Sequence, residues 1–254
     1  MGKIISIVNH KGGVGKTMTT QNLGAALSLL GKKVLMVDMD PQCNLTTQCE
    51  STHYHPTISQ IMNDNDDKVA IVPNQLTDNL HLLPGAEALD EDNIALGDME
   101  IEEAIVVLKE VLYKKKDEYD YILIDCAPGS SLLMVNAIVA SDEMIVPIAD
   151  KNSILGAKKL TKILSANKVQ PIGHYLLTKY DGRLSVAREI KNKLASESGK
   201  ALYHTIIRQT EALNQAACSC LSIFDFDKRS NGAEDYMALA KEIVGGNKDN
   251  EMPF

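Results

Sequence analysis

Five short runs of consecutive apolar residues punctuate the chain: Ile4-Ile5-Ser6-Ile7-Val8, Val34-Leu35-Met36-Val37, Tyr121-Ile122-Leu123-Ile124, Met144-Ile145-Val146-Pro147-Ile148 and Tyr175-Leu176-Leu177. Apolar residues at successive positions, rather than at alternate ones, predict strands buried on both faces, as in a parallel sheet covered by helices. The stretches between them carry helical periodicity. Over residues 16–31, Leu23, Ala26, Leu27 and Leu30 share one stripe and Gly31 supplies a C-terminal stop. Further helices are predicted at about 98–116, 131–140, 153–168, 185–199 and 232–244. The alternation predicts an α/β fold with a doubly wound, mostly parallel sheet flanked by helices. Residues 50–79 interrupt it. They are polar, include Asn63-Asp64-Asn65-Asp66-Asp67 and offer one short helical candidate at Thr57–Met62, so they read as a mobile insertion. One domain is expected over 1–246, with 247–254 a disordered tail.

The length of 254 residues suits a single α/β unit, and 44% hydrophobic, 24% charged and 4% aromatic residues describe an ordinary globular chain. No run approaches the ~18 apolar residues needed to cross a bilayer, and the N-terminus opens into a strand without a signal-peptide pattern, so a cytoplasmic protein with no membrane partner is expected. Five cysteines scattered through the chain argue against a disulfide framework. The net charge of -8 disfavours strong nucleic-acid binding by one subunit and leaves room only for a local basic patch.

After the first strand comes His10-Lys11-Gly12-Gly13-Val14-Gly15-Lys16-Thr17, with a helix directly behind it. Glycines let backbone N–H groups turn toward a phosphate and the helix N-terminus adds its dipole. Lys16 reaches the terminal phosphates, and the Thr17 hydroxyl faces Mg²⁺. A glycine-rich turn that binds nothing is the alternative, but it would set two lysines against each other with no packing gain, whereas a polyphosphate neutralises both.

The run Asn9 to Thr17 resembles the deviant phosphate loop of the ParA/MinD ATPases, closest to the ParA/Soj-type partition ATPases. The resemblance continues through Val37-Asp38-Met39-Asp40-Pro41-Gln42-Cys43-Asn44, Ile122-Leu123-Ile124-Asp125-Cys126-Ala127-Pro128-Gly129 and Lys228-Arg229-Ser230-Asn231-Gly232-Ala233-Glu234-Asp235-Tyr236. It implies that ATP with Mg²⁺ is bound by Lys11, Gly12, Gly13, Val14, Gly15, Lys16, Thr17 and Met18. It also implies that Lys11 is the signature lysine, which in the family reaches the nucleotide of a partner subunit. Two positions depart from the pattern. Met18 replaces a hydroxyl residue that touches the α-phosphate, a loss of about 1 kcal/mol. Cys43 replaces a glycine and is expected to stiffen its loop.

Phosphoryl transfer needs charge neutralisation and an oriented nucleophile. Asp125, at the end of an apolar strand, stands where a carboxylate holds Mg²⁺ through water; the alternative is a helix cap. Asp38 and Asp40, two apart on an extended chain, point to one side; the alternative is a solvated strand end. The resemblance makes Asp40 the water-orienting residue, catalytic with Lys11 and Lys16, and gives Asp38 a place in the metal shell with Thr17 and Asp125. A free aspartate titrates near ~3.9, so Asp40 holds water rather than acting as a strong base, and hydrolysis by the isolated chain is expected to be slow. A partner's arginine accelerates such reactions by roughly 10³–10⁵, a role that falls to a ParB-like adaptor in ParA-like systems.

Thr178-Lys179-Tyr180-Asp181 resembles a guanine-reading motif, but Asp181-Gly182-Arg183 also matches a ParA-like sequence, so Lys179 and Asp181, with Arg208, are assigned to an adenine site. Arg183, Arg188 and Lys191 are candidate DNA contacts; Lys158, Lys159 and Lys162 form a second basic face, and a solvated surface is an equal reading of both. The resemblance implies an ATP-dependent homodimer that binds DNA without sequence preference on the nucleoid and positions a plasmid, chromosome or other cargo. Three alternatives are a MinD-like membrane-associated ATPase, an iron–sulfur carrier ATPase using Cys218 and Cys220, and a nucleotide-gated scaffold that hardly hydrolyses. Replacing Lys16→Ala is expected to abolish the calorimetric signal for Mg-ATP.

Overall fold

The structure is a computed structural model that describes residues 2–49, 56–64, 70–71, 77–166, 172–198 and 201–245. Seven parallel strands, β1 (Lys3–Ile7), β2 (Val34–Met39), β4 (Leu80–Leu83), β5 (Tyr121–Cys126), β6 (Glu143–Ile148), β7 (Ile172–Tyr180) and β8 (Leu202–Arg208), are joined by an antiparallel two-residue strand, β3 (Ala70–Ile71). Their order is β3-β4-β2-β5-β1-β6-β7-β8. The chain leaves β1 on one side for β2 and returns on the other as β6, so a crevice opens at the carboxyl end of β1, the place where open α/β sheets bind ligands.

Consecutive apolar residues in the strands divide between two cores. Ile4, Leu35, Val37, Ile122 and Ile124 face a layer built by α3 (Ile58–Asp64), α4 (Leu89–Gly97), α5 (Ile101–Ala104), α6 (Val107–Lys115), α7 (Leu132–Ala140), α8 (Lys151–Ala166) and α9 (Ser185–Ser198). Ile5, Ile7, Val34, Met36 and Leu123 face α1 (Lys16–Leu29), α2 (Asn44–Gln48), α10 (Glu211–Cys218), α11 (Ile223–Asp227) and α12 (Asn231–Gly245). The central strands are therefore apolar at most successive positions, because both of their faces are covered.

The one-stripe reading of α1 understates its burial. The helix is sandwiched between the sheet and α12, and its polar residues find partners inside: Thr19 pairs with the Tyr236 hydroxyl at 3.3 Å, while Asn22 donates to the Met18 carbonyl at 2.8 Å and accepts from the Ile223 N–H at 2.7 Å. Gly31 ends it as expected, at φ +78°, with Lys32 N–H returning to the Leu27 carbonyl. The helix predicted over 98–116 is broken into α5 and α6. β3, β4, β8, α2, α4, α10 and α11 are additional to the predicted elements. β8 is an edge strand whose free His204 and Thr205 N–H groups are taken by the Glu242 carboxylate at 2.8 and 2.9 Å. The expected tail and most of the expected insertion lie outside the described residues. Among the described residues no helix is long and apolar enough to cross a membrane.

Gly156 lets α8 rest directly on the phosphate loop. A Cβ there would stand 2.3 Å from Asn9 Oδ1 and 3.1 Å from the Lys11 nitrogen. Asn9 is fully buried, its amide donating to the Pro147 and Ser153 carbonyls at 2.9 and 3.1 Å, so it has nowhere to go. Alanine gains about 1 kcal/mol of helix propensity but overpacks by about 1–3 kcal/mol. Gly156→Ala is therefore expected to lower the thermal midpoint and to weaken nucleotide binding together, measured by melting and titration.

Candidate active site

The loop between β1 and α1 takes its shape from Gly13 and Gly15, at φ +73° and +92°, a region that costs other residues about 1–2 kcal/mol. It is fastened on three sides. Asn9 Oδ1 accepts the Lys11 N–H at 2.9 Å, the Thr178 hydroxyl at the end of β7 donates to the Val14 carbonyl at 2.8 Å, and Gly129 N–H donates to the His10 carbonyl at 3.0 Å. No side chain caps α1, so its first N–H groups face the crevice and attract an anion.

Lys16 lies at the mouth of α1, 7% exposed, with its ammonium 3.4 Å from the Lys11 carbonyl. Burial pulls its pKa down, against the pull of Asp125 and Asp40. Asp125 at the end of β5 is fully buried. One oxygen accepts from the Thr20 hydroxyl at 3.5 Å, while the other, Oδ2, has no hydrogen-bond partner. Burial and the neighbouring Asp38 raise its pKa, against the Thr17 hydroxyl and Lys16. Asp38 is equally buried and raised by burial, but it is saturated: Thr46 gives it an N–H and a hydroxyl at 2.9 and 2.7 Å, and the Asp40 N–H approaches at 3.2 Å. The sequence brings the three carboxylates together as expected, in two ranks. Asp40 lines the cavity; Asp38 and Asp125 stand behind it.

That cavity, about 300 Å³, is walled by Gly12, Gly13, Lys16, Thr17, Asp40 and Pro128. A second, about 190 Å³, lies against it and shares Gly15, Met18 and Lys179. Its other walls are Thr178, Ile207, Gln209, Thr210, Asn214 and Tyr236, with Arg208. Met18 thus sits at the seam between the two. Gln209, Thr210 and Asn214 are assigned no contact by the sequence, although Thr210-Glu211 is a helix-start signal, and Thr210 does cap α10 by accepting the Leu213 N–H. Lys179 is at the wall, in the left-handed region at φ +51°.

Two expected base contacts are otherwise engaged. Asp181 lines neither cavity; its carboxylate chelates the Arg183 guanidinium at 2.7–3.2 Å, which holds its pKa down to about 2. Arg208 lines the second cavity, but its guanidinium is committed to Asp235 at 2.6 and 3.0 Å and to Glu234 at 2.7 Å. It ties β8 to α12 and shapes the wall. Arg183, Arg188 and Lys191 are exposed around the start of α9. Arg188 donates to the Gly182 carbonyl at 2.7 Å and Lys191 stands 6.0 Å over the Tyr180 ring.

Lys11 ion-pairs with Asp150 of the same subunit. Burial opposes ionisation of Asp150, but the Lys11 ammonium and the Ser153 N–H hold its pKa below the usual carboxylate range. Cys43 adopts φ +51°, the conformation a glycine would take without strain. Among the described residues no group of three or more His, Cys, Asp or Glu forms a metal cluster, and Cys218 is exposed at the end of α10. The donor set suits a hard, hydrated cation: the Thr17 hydroxyl with the unpartnered Asp125 oxygen behind it.

Residues 2–172 match the family model described as an AAA domain. The sporulation initiation inhibitor protein Soj of Bacillus subtilis is 35% identical over 257 residues, covering 96% of this chain and 99% of the relative. The MinD protein of Pyrococcus horikoshii, solved with Mg-ADP, has a TM-score of 0.77 at 27% identity, covering 97% of this chain and 98% of its own. The apo McdA structure from Cyanothece superposes with a TM-score of 0.82 at 21% identity, covering 96% and 100%, a likeness of fold.

Folding raises the Asp125 pKa, so at neutral pH the folded chain binds more protons than the unfolded one and stability falls as pH rises above the ordinary carboxylate range. In magnesium-free buffer Asp125→Asn is therefore expected to melt at or above the wild type at pH 7.5, with the advantage shrinking toward pH 4.5, while magnesium-dependent phosphate release is lost.

Proposed function

The chain belongs to the ParA/MinD family of P-loop ATPases, and on that premise we propose that it is a ParA-type positioning ATPase working as an ATP-dependent switch. The observation that carries the reading is the pair of adjoining cavities: one offers a phosphate loop, Lys16 and Asp40, the other a mixed polar and apolar slot, and they meet at Gly15, Met18 and Lys179. Together they suit a nucleoside triphosphate lying across the end of the sheet. The MinD relative solved with Mg-ADP, and relatives described as a chromosome-partitioning ATPase in Treponema pallidum and a chromosome partitioning protein in Myxococcus xanthus, support ATP and Mg²⁺ as cofactors and partitioning as the task.

In this reading the loop N–H groups and Lys16 hold the phosphates. Thr17 and, through water, Asp125 would hold Mg²⁺, whose charge offsets that developing on the transferred phosphoryl group. Asp40 orients the attacking water, and Asp38 fixes the Asp40 backbone and Thr46 rather than meeting the metal. Lys11 exchanges Asp150 for the nucleotide of a second copy, which closes a homodimer. Residues 1–246 act as one domain. Arg183, Arg188 and Lys191, doubled by dimerisation, contact DNA without reading its sequence, so binding weakens steeply with salt. The protein works in the cytoplasm on the nucleoid, hydrolyses slowly alone, and is stimulated by a ParB-like adaptor.

Asp40→Ala is the test. It is expected to bind ATP, elute as a dimer and remain on DNA while phosphate release falls by roughly 10²-fold or more, the scale of losing a positioned proton-handling group. Normal hydrolysis by this variant would remove Asp40 from its role, and a monomer with ATP that ignores DNA would remove the switch.

A further inference from the structure

The segment from Glu87 to Glu103 carries eight carboxylates and no lysine or arginine. Within it Ile94, Met99 and Ile101 are 68%, 43% and 45% exposed, while Leu89, Leu96 and Ala104 are buried and hold α4 and α5 on the body of the molecule. A rigidly anchored element that spends three large apolar side chains on solvent, inside an acidic rim, has the composition of a recognition surface.

We propose that this α4–α5 knuckle docks a basic amphipathic segment of a partner protein, and that occupancy is relayed to the active site through Asn93. The apolar centre calls for an apolar counterpart and the carboxylates call for Lys or Arg around it. The same carboxylates repel nucleic acid and anionic lipid. The knuckle hangs between the two loops that carry the site's aspartates. On one side Asn93 Oδ1 accepts the Leu132 and Leu133 N–H groups at 3.0 and 3.4 Å, the first two of α7, ahead of the Met134 N–H that the Ser131 side chain caps. The loop leading there from Asp125 includes Pro128, which lines the phosphate cavity, and Gly129, which holds the His10 carbonyl. On the other side Gly85 N–H donates at 2.8 Å to the Thr46 hydroxyl that holds Asp38. A partner that shifts α4 moves both loops. The relay rests on the ATPase reading above; the docking surface does not.

The test uses the whole protein without nucleotide and a synthetic amphipathic peptide of about 16 residues, lysines on one helical face and leucines on the other. A scrambled peptide of equal composition is the control. Wild type is expected to bind the patterned peptide saturably, with amide exchange slowed across 87–104 and altered at 132–135. Affinity is expected to drop at least about tenfold for the scrambled peptide and for the surface double variant Ile94→Asn/Ile101→Asn. Asn93→Ala is expected to bind as wild type while the response at 132–135 disappears. No saturation by about 1 mM, equal binding of the scrambled peptide, equal binding by the double variant, or protection elsewhere on the surface each overturns the docking site. Binding with unchanged exchange at 132–135 overturns the relay. A chain that binds the peptide but never hydrolyses ATP would instead sink the functional reading and leave the surface standing.

Discussion

One ammonium among buried carboxylates governs the site. Lys16 is drawn into the protein at the start of α1, where Asp125 at the end of β5 and Asp40 just past β2 act on it, with Asp38 beside those two carboxylates. Removing these charges from water costs several kcal/mol per ion unless each is paired. Lys16 answers only part of the negative charge, and Asp125 retains an oxygen without a partner. The arrangement is therefore electrostatically unfinished until a cation and a polyphosphate complete it. A ligand that binds only the folded chain then contributes to stability by mass action, about 2.7 kcal/mol at a hundred times its dissociation constant.

The remaining architecture keeps that cluster in register. Strands from both halves of the sheet converge on one loop: β1 delivers it, β7 holds Val14 through Thr178, β6 and α8 hold Asn9, and the segment after β5 holds His10. The wall of the second cavity is assembled from the far end of the sequence, where Arg208 joins β8 to Asp235 and Glu234 and where Tyr236 meets Thr19. Shape near the ligand is thus decided by contacts 26 to more than 200 residues apart in the chain.

The part of this that reads directly from sequence is the part in which local composition and tertiary environment agree. β1, β2, β5 and β6 are apolar at most positions because they lie in the middle of the sheet, and glycines 13 and 15 are required wherever a loop folds back to expose its N–H groups. The phosphate loop and its aspartates are legible for that reason. β8 is hidden because an edge strand mixes exposed and buried positions, and α4 because three successive acids in its first turn mask its few anchors. Around the second cavity, side-chain type alone misleads. Arg208 and Asp181 look like ligand contacts until Asp235, Glu234 and Arg183 are found beside them. Those partners are fixed by folding, and no spacing rule carries that information.

Asn9 carries a last consequence. Its side chain offers two protons to the Pro147 and Ser153 carbonyls and one lone pair to the Lys11 N–H, a combination that only an amide provides at this size. Spontaneous hydrolysis of that amide would leave a carboxylate facing two carbonyl oxygens in a sealed space. A carboxylate in place of the amide would push α8 and the phosphate loop apart, so the fit of the loop against the helix hangs on the chemical identity of one side-chain nitrogen.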